Sequence, residues 1–426
     1  MDQSTIAIII VILVVISFAL EKIPVSLTAV IVALLMAIFG IIDLSKAYSD
    51  FGATATVMCA AMIIVGNACF ENGVAQSVGN ALKKIGLDKN ERVLIGVMCA
   101  VSCFLSAFLS NSAVTAMCIP LVASIVLKSN GRAKNKNVLL AVGVGSGIGG
   151  ICTLSGSTPQ VTAQGLLESL EGVPSMSYFS LAKAGVPLCI ITVIYFITVG
   201  YWIEKKTLKF DDVIPVAVDS IHDEVVFDKR KKTITSIVVL LCIAGFISGI
   251  WNIAVVAMVG ATLLFLTKCI DIKKAFQDID WNTILVLACA QGFAAGIDKS
   301  GAGEKIATGI INLVGGESVA NPFVILAVLI VLTVVLTNFM SNISVAVMML
   351  PIAVNIAQTL GVSVYTFVIA ITIASQIAFA TPIGTACMTQ VMVGGYKYTD
   401  YVKVGLPITI ILTIASVFLI PLCYGL

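Results

Sequence analysis

A chain of 426 residues in which 59% are hydrophobic and only 11% charged, with a mean hydropathy of +1.08, is too apolar for a water-soluble globule of that length. Its net charge of +2 is spread through loops between apolar runs, so there is no basic face for nucleic acid. What remains is an all-α polytopic membrane protein in contact with the lipid bilayer.

In chain order, residues 4–20 read as a retained first helix, because no basic region and no small-residue cleavage site precedes Glu21. Runs of crossing length follow at 24–42, 54–70, 138–167, 178–203, 233–250, 253–268, 283–297, 364–391 and 401–422. Two further segments, 92–127 and 322–359, are apolar but interrupted at their middles, and each reads either as two crossings or as one re-entrant hairpin. Glycine-rich, mildly amphipathic stretches at 71–86 and 299–315 precede them and read as interfacial helices. The charged stretch 204–232, which holds the single histidine, His222, reads as a solvated connector between two halves. Twelve cysteines are scattered without a CxxC pair, and Cys99 and Cys103, on one helical face, read as small packing residues.

The two interruptions share a motif. Ser110-Asn111-Ser112 is followed by Pro120, and Ser341-Asn342-Ile343 by Pro351, the proline falling nine residues after the asparagine in both. An amide inside an apolar stretch is costly unless it has work to do. The repetition extends further: residues 42–48 match 270–276, Thr158-Pro159 matches Thr381-Pro382, and 183–187 match 403–407, at an offset of about 220–230 residues. Each repeat then holds five crossings and one hairpin, and an odd number of crossings inverts the second copy. Threading the chain this way puts 21 of the 25 basic residues on one side and leaves Lys46, Lys183, Lys299 and Lys305 opposite. The positive-inside rule makes the richer side cytoplasmic and both termini external in the cell membrane.

Asn111 and Asn342 stand at the start of each second arm, the N-cap position, with the hydroxyls of Ser110, Ser112 and Ser341 beside them. Free amides and the positive end of the helix dipole make an anion site there. The glycine-rich run 143–160 and its counterpart 375–385 read as broken helices. Their carbonyls and Ser or Thr hydroxyls are the hard oxygen ligands suited to a coupling Na+ ion; the glycines would alternatively serve close helix packing. Proton antiport needs a carboxylate inside the bundle, and residues 93–127, 138–167, 322–359 and 364–391 contain no Asp, Glu or His. Enzymatic chemistry is excluded too, because no base or metal cluster accompanies the serines and cysteines.

The segments Leu109 to Ser112, Met340 to Ile343, Gly156 to Pro159, Ala380 to Gly384, Gly394 to Tyr401 and Val404 to Pro407 resemble the divalent anion:sodium symporter family over nearly the whole chain. The resemblance implies a homodimeric elevator with a static scaffold (residues 1–90 and 233–320), a mobile transport domain (91–203 and 321–426) and a cytoplasmic linker (204–232). It implies sodium-coupled symport of a small divalent anion, a di- or tricarboxylate or sulfate; an anion exchanger without sodium or an arsenite permease of the same superfamily is the alternative. Substrate would fall to Ser110, Asn111, Ser112, Thr158, Pro159, Ser341, Asn342, Thr381 and Pro382. Sodium would fall to Ser110, Asn111, Gly147, Gly150, Thr153, Ser341, Asn342, Ala380, Thr381 and Gly384. The family's motif threonines are replaced here by Ser112, which keeps the hydroxyl, and by Ile343, which cannot hydrogen-bond.

Overall fold

The computed structural model describes residues 2–20, 22–75, 77, 87–214, 227–313 and 321–426. His222, most of the stretch 71–86 and the end of 299–315 lie outside the described residues. Regular structure among the described residues is helical throughout. Among the described residues, six helices are long and apolar enough to cross a membrane: Thr54–Glu71, Asn111–Lys128, Ala182–Thr207, Lys229–Ser248, Asn342–Leu360 and Tyr398–Tyr424. The protein is a multi-pass membrane protein.

One group of helices packs pairwise: Val25–Ile38 against Trp281–Lys299, and Thr54–Glu71 against Ile253–Leu266, which in turn meets Lys229–Ser248. Their outward faces expose large apolar side chains such as Leu240, Leu241 and Val259, the expected surface toward lipid tails.

The interrupted segments form two helical hairpins. Hairpin 1 has arms Glu91–Ser106 and Asn111–Lys128; hairpin 2 has arms Pro322–Thr337 and Asn342–Leu360. Length alone would let the second arms cross the bilayer. What makes each pair a hairpin is the four-residue turn between its arms, and both turns line one cavity.

Capping fixes where the arms begin. Asn90 and Asn321 accept from the first free amides of the two leading arms. At the second arms the cap is the serine: Ser110 accepts from Ala113 N at 3.3 Å and Ser341 from Ser344 N at 3.2 Å. The asparagines, expected at the cap, are one residue further in, as the first helical residues. A serine hydroxyl on extended backbone reaches the third amide along, which frees the asparagine side chain for other partners.

Both long runs beside the hairpins are broken. Asn135–Gly149 stays helical to its end, passes through a short turn at Gly150–Cys152, loses helical form at 153–157 and resumes as Thr158–Ser169. Its glycines are therefore packing residues: a β-carbon on Gly145 would lie 2.4 Å from Ser102 Oγ, and one on Gly149 2.2 Å from the Cys103 carbonyl oxygen. Cys99 and Cys103 are buried in this seam. In the second half, Val364–Ala374 gives way to non-helical residues 375–385 before the short helix Ala386–Gln390. The two halves then exchange partners. Thr158–Ser169 packs on the second arm of hairpin 2, and Ala386–Gln390 packs on the second arm of hairpin 1.

The stretch read as a solvated connector is docked over its first part. Tyr201–Thr207 is helical with Glu204 buried, Asp212 accepts from Asn135 N at 3.0 Å and Lys136 N at 2.9 Å, and the Phe210 ring meets Tyr396. Asp212 thus caps a helix far from it in sequence, a tertiary contact that local charge patterning does not reveal. Glu91 anchors the base of hairpin 1 through Lys205 Nζ (2.5 Å), Asn137 Nδ2 (2.8 Å) and the Tyr201 hydroxyl (3.1 Å).

Candidate functional site

Behind each hairpin tip, side chains that sequence placed near one another are stitched to the adjacent break. At tip 1, Ser106 Oγ donates to Asn111 Oδ1 (2.6 Å), the Thr153 hydroxyl donates to the Ala107 carbonyl, and Gly150 abuts the Asn111 amide so closely that a β-carbon would sit 2.3 Å from its oxygen. At tip 2, Thr337 Oγ1 donates to the Ser375 carbonyl (2.5 Å) and Thr381 Oγ1 to the Asn338 carbonyl, while Asn338 Oδ1 accepts from Ala380 N (3.0 Å). The hydrogen-bond network turns the Asn342 amide nitrogen toward three acceptors: Thr337 Oγ1 at 2.9 Å, Ser375 O at 3.1 Å and Gly384 O at 2.9 Å. The two tips are thus alike in architecture and unlike in what they leave available.

Gln160 joins the halves, donating to the Gly150 carbonyl at 2.6 Å and to Gln376 Oε1 at 3.4 Å, with both glutamines buried. The Thr-Pro match seen in sequence is out of structural register. The hydroxyl equivalent to Thr381 is that of Thr153, each donating to a tip carbonyl, whereas Thr158 opens a helix as Ala386 does. A two-residue match across breaks of different local geometry does not fix their alignment.

Between the tips lies a cavity of about 470 Å³. It is lined by Ser110, Asn111, Ser112, Thr158, Pro159, Ser341, Asn342 and Gly384, all expected site residues, and by Ile343. Gly147, Gly150, Thr153, Ala380, Thr381 and Pro382 are not among its lining residues: Gly147 lies within a helix against the Phe379 ring, Gly150, Thr153, Ala380 and Thr381 belong to the stitching behind the tips, and the Pro382 carbonyl accepts from Thr389 Oγ1. Sequence reasoning missed Asn67, Asp278, Asp280 and Thr283 on the facing wall. Asp280 caps Trp281–Lys299 and accepts from Thr283 Oγ1 at 2.6 Å. The only signal was two acids immediately before an apolar run, which reads as an ordinary helix start. Both aspartates lie outside the acid-free intervals 93–127, 138–167, 322–359 and 364–391.

A pair of serine-capped helix starts and two unwound segments around one cavity can hold an anion between fixed amides and a cation among carbonyl and hydroxyl oxygens. The profile of the CitMHS family, described as citrate transporter, matches residues 15–365. The chain belongs to this family. As a citrate-transporter family member it is a transporter and not an enzyme, and its likeness to the divalent anion:sodium symporters stands on named relatives. It is 24% identical over 400 residues to the uncharacterized transporter MJ0672 of Methanocaldococcus jannaschii, covering 92% of this chain and 87% of that protein. It is 26% identical over 329 residues to the sodium-dependent dicarboxylate transporter SdcS of Staphylococcus saprophyticus, covering 69% of this chain and 62% of SdcS. Among solved structures it is similar to the YdaH transporter of Alcanivorax borkumensis, with a TM-score of 0.62 at 13% identity, covering 89% of this chain and 88% of that one. That likeness speaks for the fold alone.

Proposed function

We propose that this protein is a sodium-coupled symporter that carries a small divalent anion, a di- or tricarboxylate or sulfate, across the cell membrane. The observation that carries the reading is the convergence of both hairpin tips and both broken segments on one 470 Å³ cavity. SdcS, a relative named as a sodium-dependent dicarboxylate transporter, supports it. In this reading the substrate sits against Ser110, Asn111, Ser112, Thr158, Pro159, Ser341 and Asn342, with Thr381 and Pro382 holding the second break. Sodium sits behind the tips, among oxygens contributed by Ser110, Asn111, Gly150 and Thr153 in one half and by Ser341, Asn342, Ala380, Thr381 and Gly384 in the other, while Gly147, inside the helix against Phe379, is left out of the set. The donor set fits the ion, since it is made of carbonyl, amide and hydroxyl oxygens.

Charge balance supports sodium. Two helix starts offer roughly half a positive charge each, about one unit against the two of a divalent anion. No Lys, Arg or His lines the cavity among the described residues, and Asp278 and Asp280 add negative charge. Cations are the remaining source. Uptake of succinate, citrate or sulfate into proteoliposomes is expected to require external sodium and to fall to the leak rate when choline replaces it. Equal rates in the two buffers would favour exchange.

The mobile part comprises residues 91–203 and 321–426, moving against a scaffold of 1–90 and 233–320 within a homodimer, with 204–232 as the cytoplasmic linker and both termini outside. The distribution of basic residues supports this orientation. In a background lacking the twelve native cysteines, Glu304→Cys is expected to react with an impermeant thiol reagent in intact cells, and Thr233→Cys only after permeabilisation. Reaction at position 233 in intact cells would reverse the topology.

A further inference from the structure

The cavity's charged lining residues among those described are Asp278 and Asp280, both exposed and both on the segment that leads into Trp281–Lys299, where Asp280 also caps the helix. Carboxylates on the wall of an anion cavity weaken binding in proportion to the charge of the ligand. The two tips also differ in what they offer. Asn111 has its oxygen engaged by Ser106, which leaves the amide nitrogen as the group it can present to an anion. The Asn342 nitrogen is committed to three acceptors, and its neighbour Ile343 has no polar atom in its side chain. An anionic group is therefore favoured at tip 1.

From this we infer that Asp278 and Asp280 act as a charge filter, setting the total negative charge of the anion that the cavity accepts. The inference rests on the anion-transport reading and deepens it: the two aspartates determine specificity by disfavouring trivalent over divalent, and divalent over monovalent, ligands. Two unit charges about 8 Å apart in a water-like dielectric change affinity at most about twofold to threefold per unit of ligand charge, and because the Debye length at physiological salt is also about 8 Å, the full effect is expected only at low ionic strength.

The test compares proteoliposome uptake of lactate, succinate and citrate at pH 8 and low ionic strength with sodium, for the wild type, Asp278→Asn, Asp280→Asn and the double variant. Asparagine keeps the size of the side chain and still caps a helix at position 280. Asp271→Asn, at a cap outside the cavity lining, serves as the control. The expected result is a graded gain in apparent affinity, largest for citrate and smallest for lactate, of at most about twofold to threefold per unit charge for each aspartate neutralised, with the control unchanged. An equal change for all three anions, or the same grading from Asp271→Asn, overturns the filter while leaving anion transport intact. No uptake of any of the three by the wild type overturns the anion-transport reading and the filter with it.

Discussion

Asn111→Ala is expected to leave the protein folded and to weaken the apparent substrate affinity about tenfold to a hundredfold, the loss of one hydrogen bond to a charged group worth roughly 1.5–3 kcal/mol. The side chain is held in place by Ser106 Oγ at 2.6 Å on its oxygen, and the residue lines the cavity. Asn342→Ala serves as the internal comparison. Its nitrogen ties Thr337, Ser375 and Gly384 together, so its loss leaves buried carbonyls short of a donor and lowers thermal stability as well as transport. Thermal denaturation in detergent separates the two variants. A purified Asn111→Ala protein that unfolds as early as Asn342→Ala, or that takes up substrate at wild-type affinity, would remove Asn111 from the binding site.

Gly405→Ala is expected to be among the most damaging single-atom additions in the chain. A β-carbon there would lie 1.8 Å from the Phe379 carbonyl oxygen and 2.7 Å from its carbon. Backbone, not a flexible side-chain end, stands in the way, so the helix Tyr398–Tyr424 or the second break must move. Overpacking of this kind costs typically 1–3 kcal/mol and occasionally more. The break is the segment stitched to tip 2, hence transport should fall together with stability. Gly309→Ala, in the helix Ala302–Leu313 with nothing within 4 Å of the added carbon, is the matched control and should be neutral or slightly stabilising, since alanine is the better helix former by up to about 1 kcal/mol. Equal melting temperatures for the two variants would show that the Phe379 contact relaxes freely.

Two residues illustrate how far the repeat could be followed in sequence. Gly185 and Gly405 were paired there through the shared pattern at 183–187 and 403–407, and each turns out to press on the break of its own half, Gly185 against Cys152 and Gly405 against Phe379. The pairing was legible because both copies keep the same short string. Its purpose was not, since the partner in each case lies more than twenty residues away and is recognisable only by contact. The same holds for the glycines of 143–149, whose spacing is compatible with either an unwound ion site or a tight helix seam until Ser102 and Cys103 are seen opposite them.

By itself the sequence determined the solvent, the helical class, the repeat and the two polar interruptions, because each follows from local quantities: apolar run length set by bilayer thickness, the cost of an amide in hydrocarbon, and a helix start written as Ser-Asn. Tertiary structure alone decided which residues share the cavity. Asp278 and Asp280 enter it from a helix start in the other packing group, and Thr153, not Thr158, is the counterpart of Thr381. Hydrogen bonds also set the two asparagines apart, holding Asn111 by its oxygen through Ser106 and spending the nitrogen of Asn342 on Thr337 and on the Ser375 and Gly384 carbonyls. Identical motifs acquire different roles because a buried donor binds whichever acceptors the packed fold brings to it, and those acceptors are chosen by the rest of the chain.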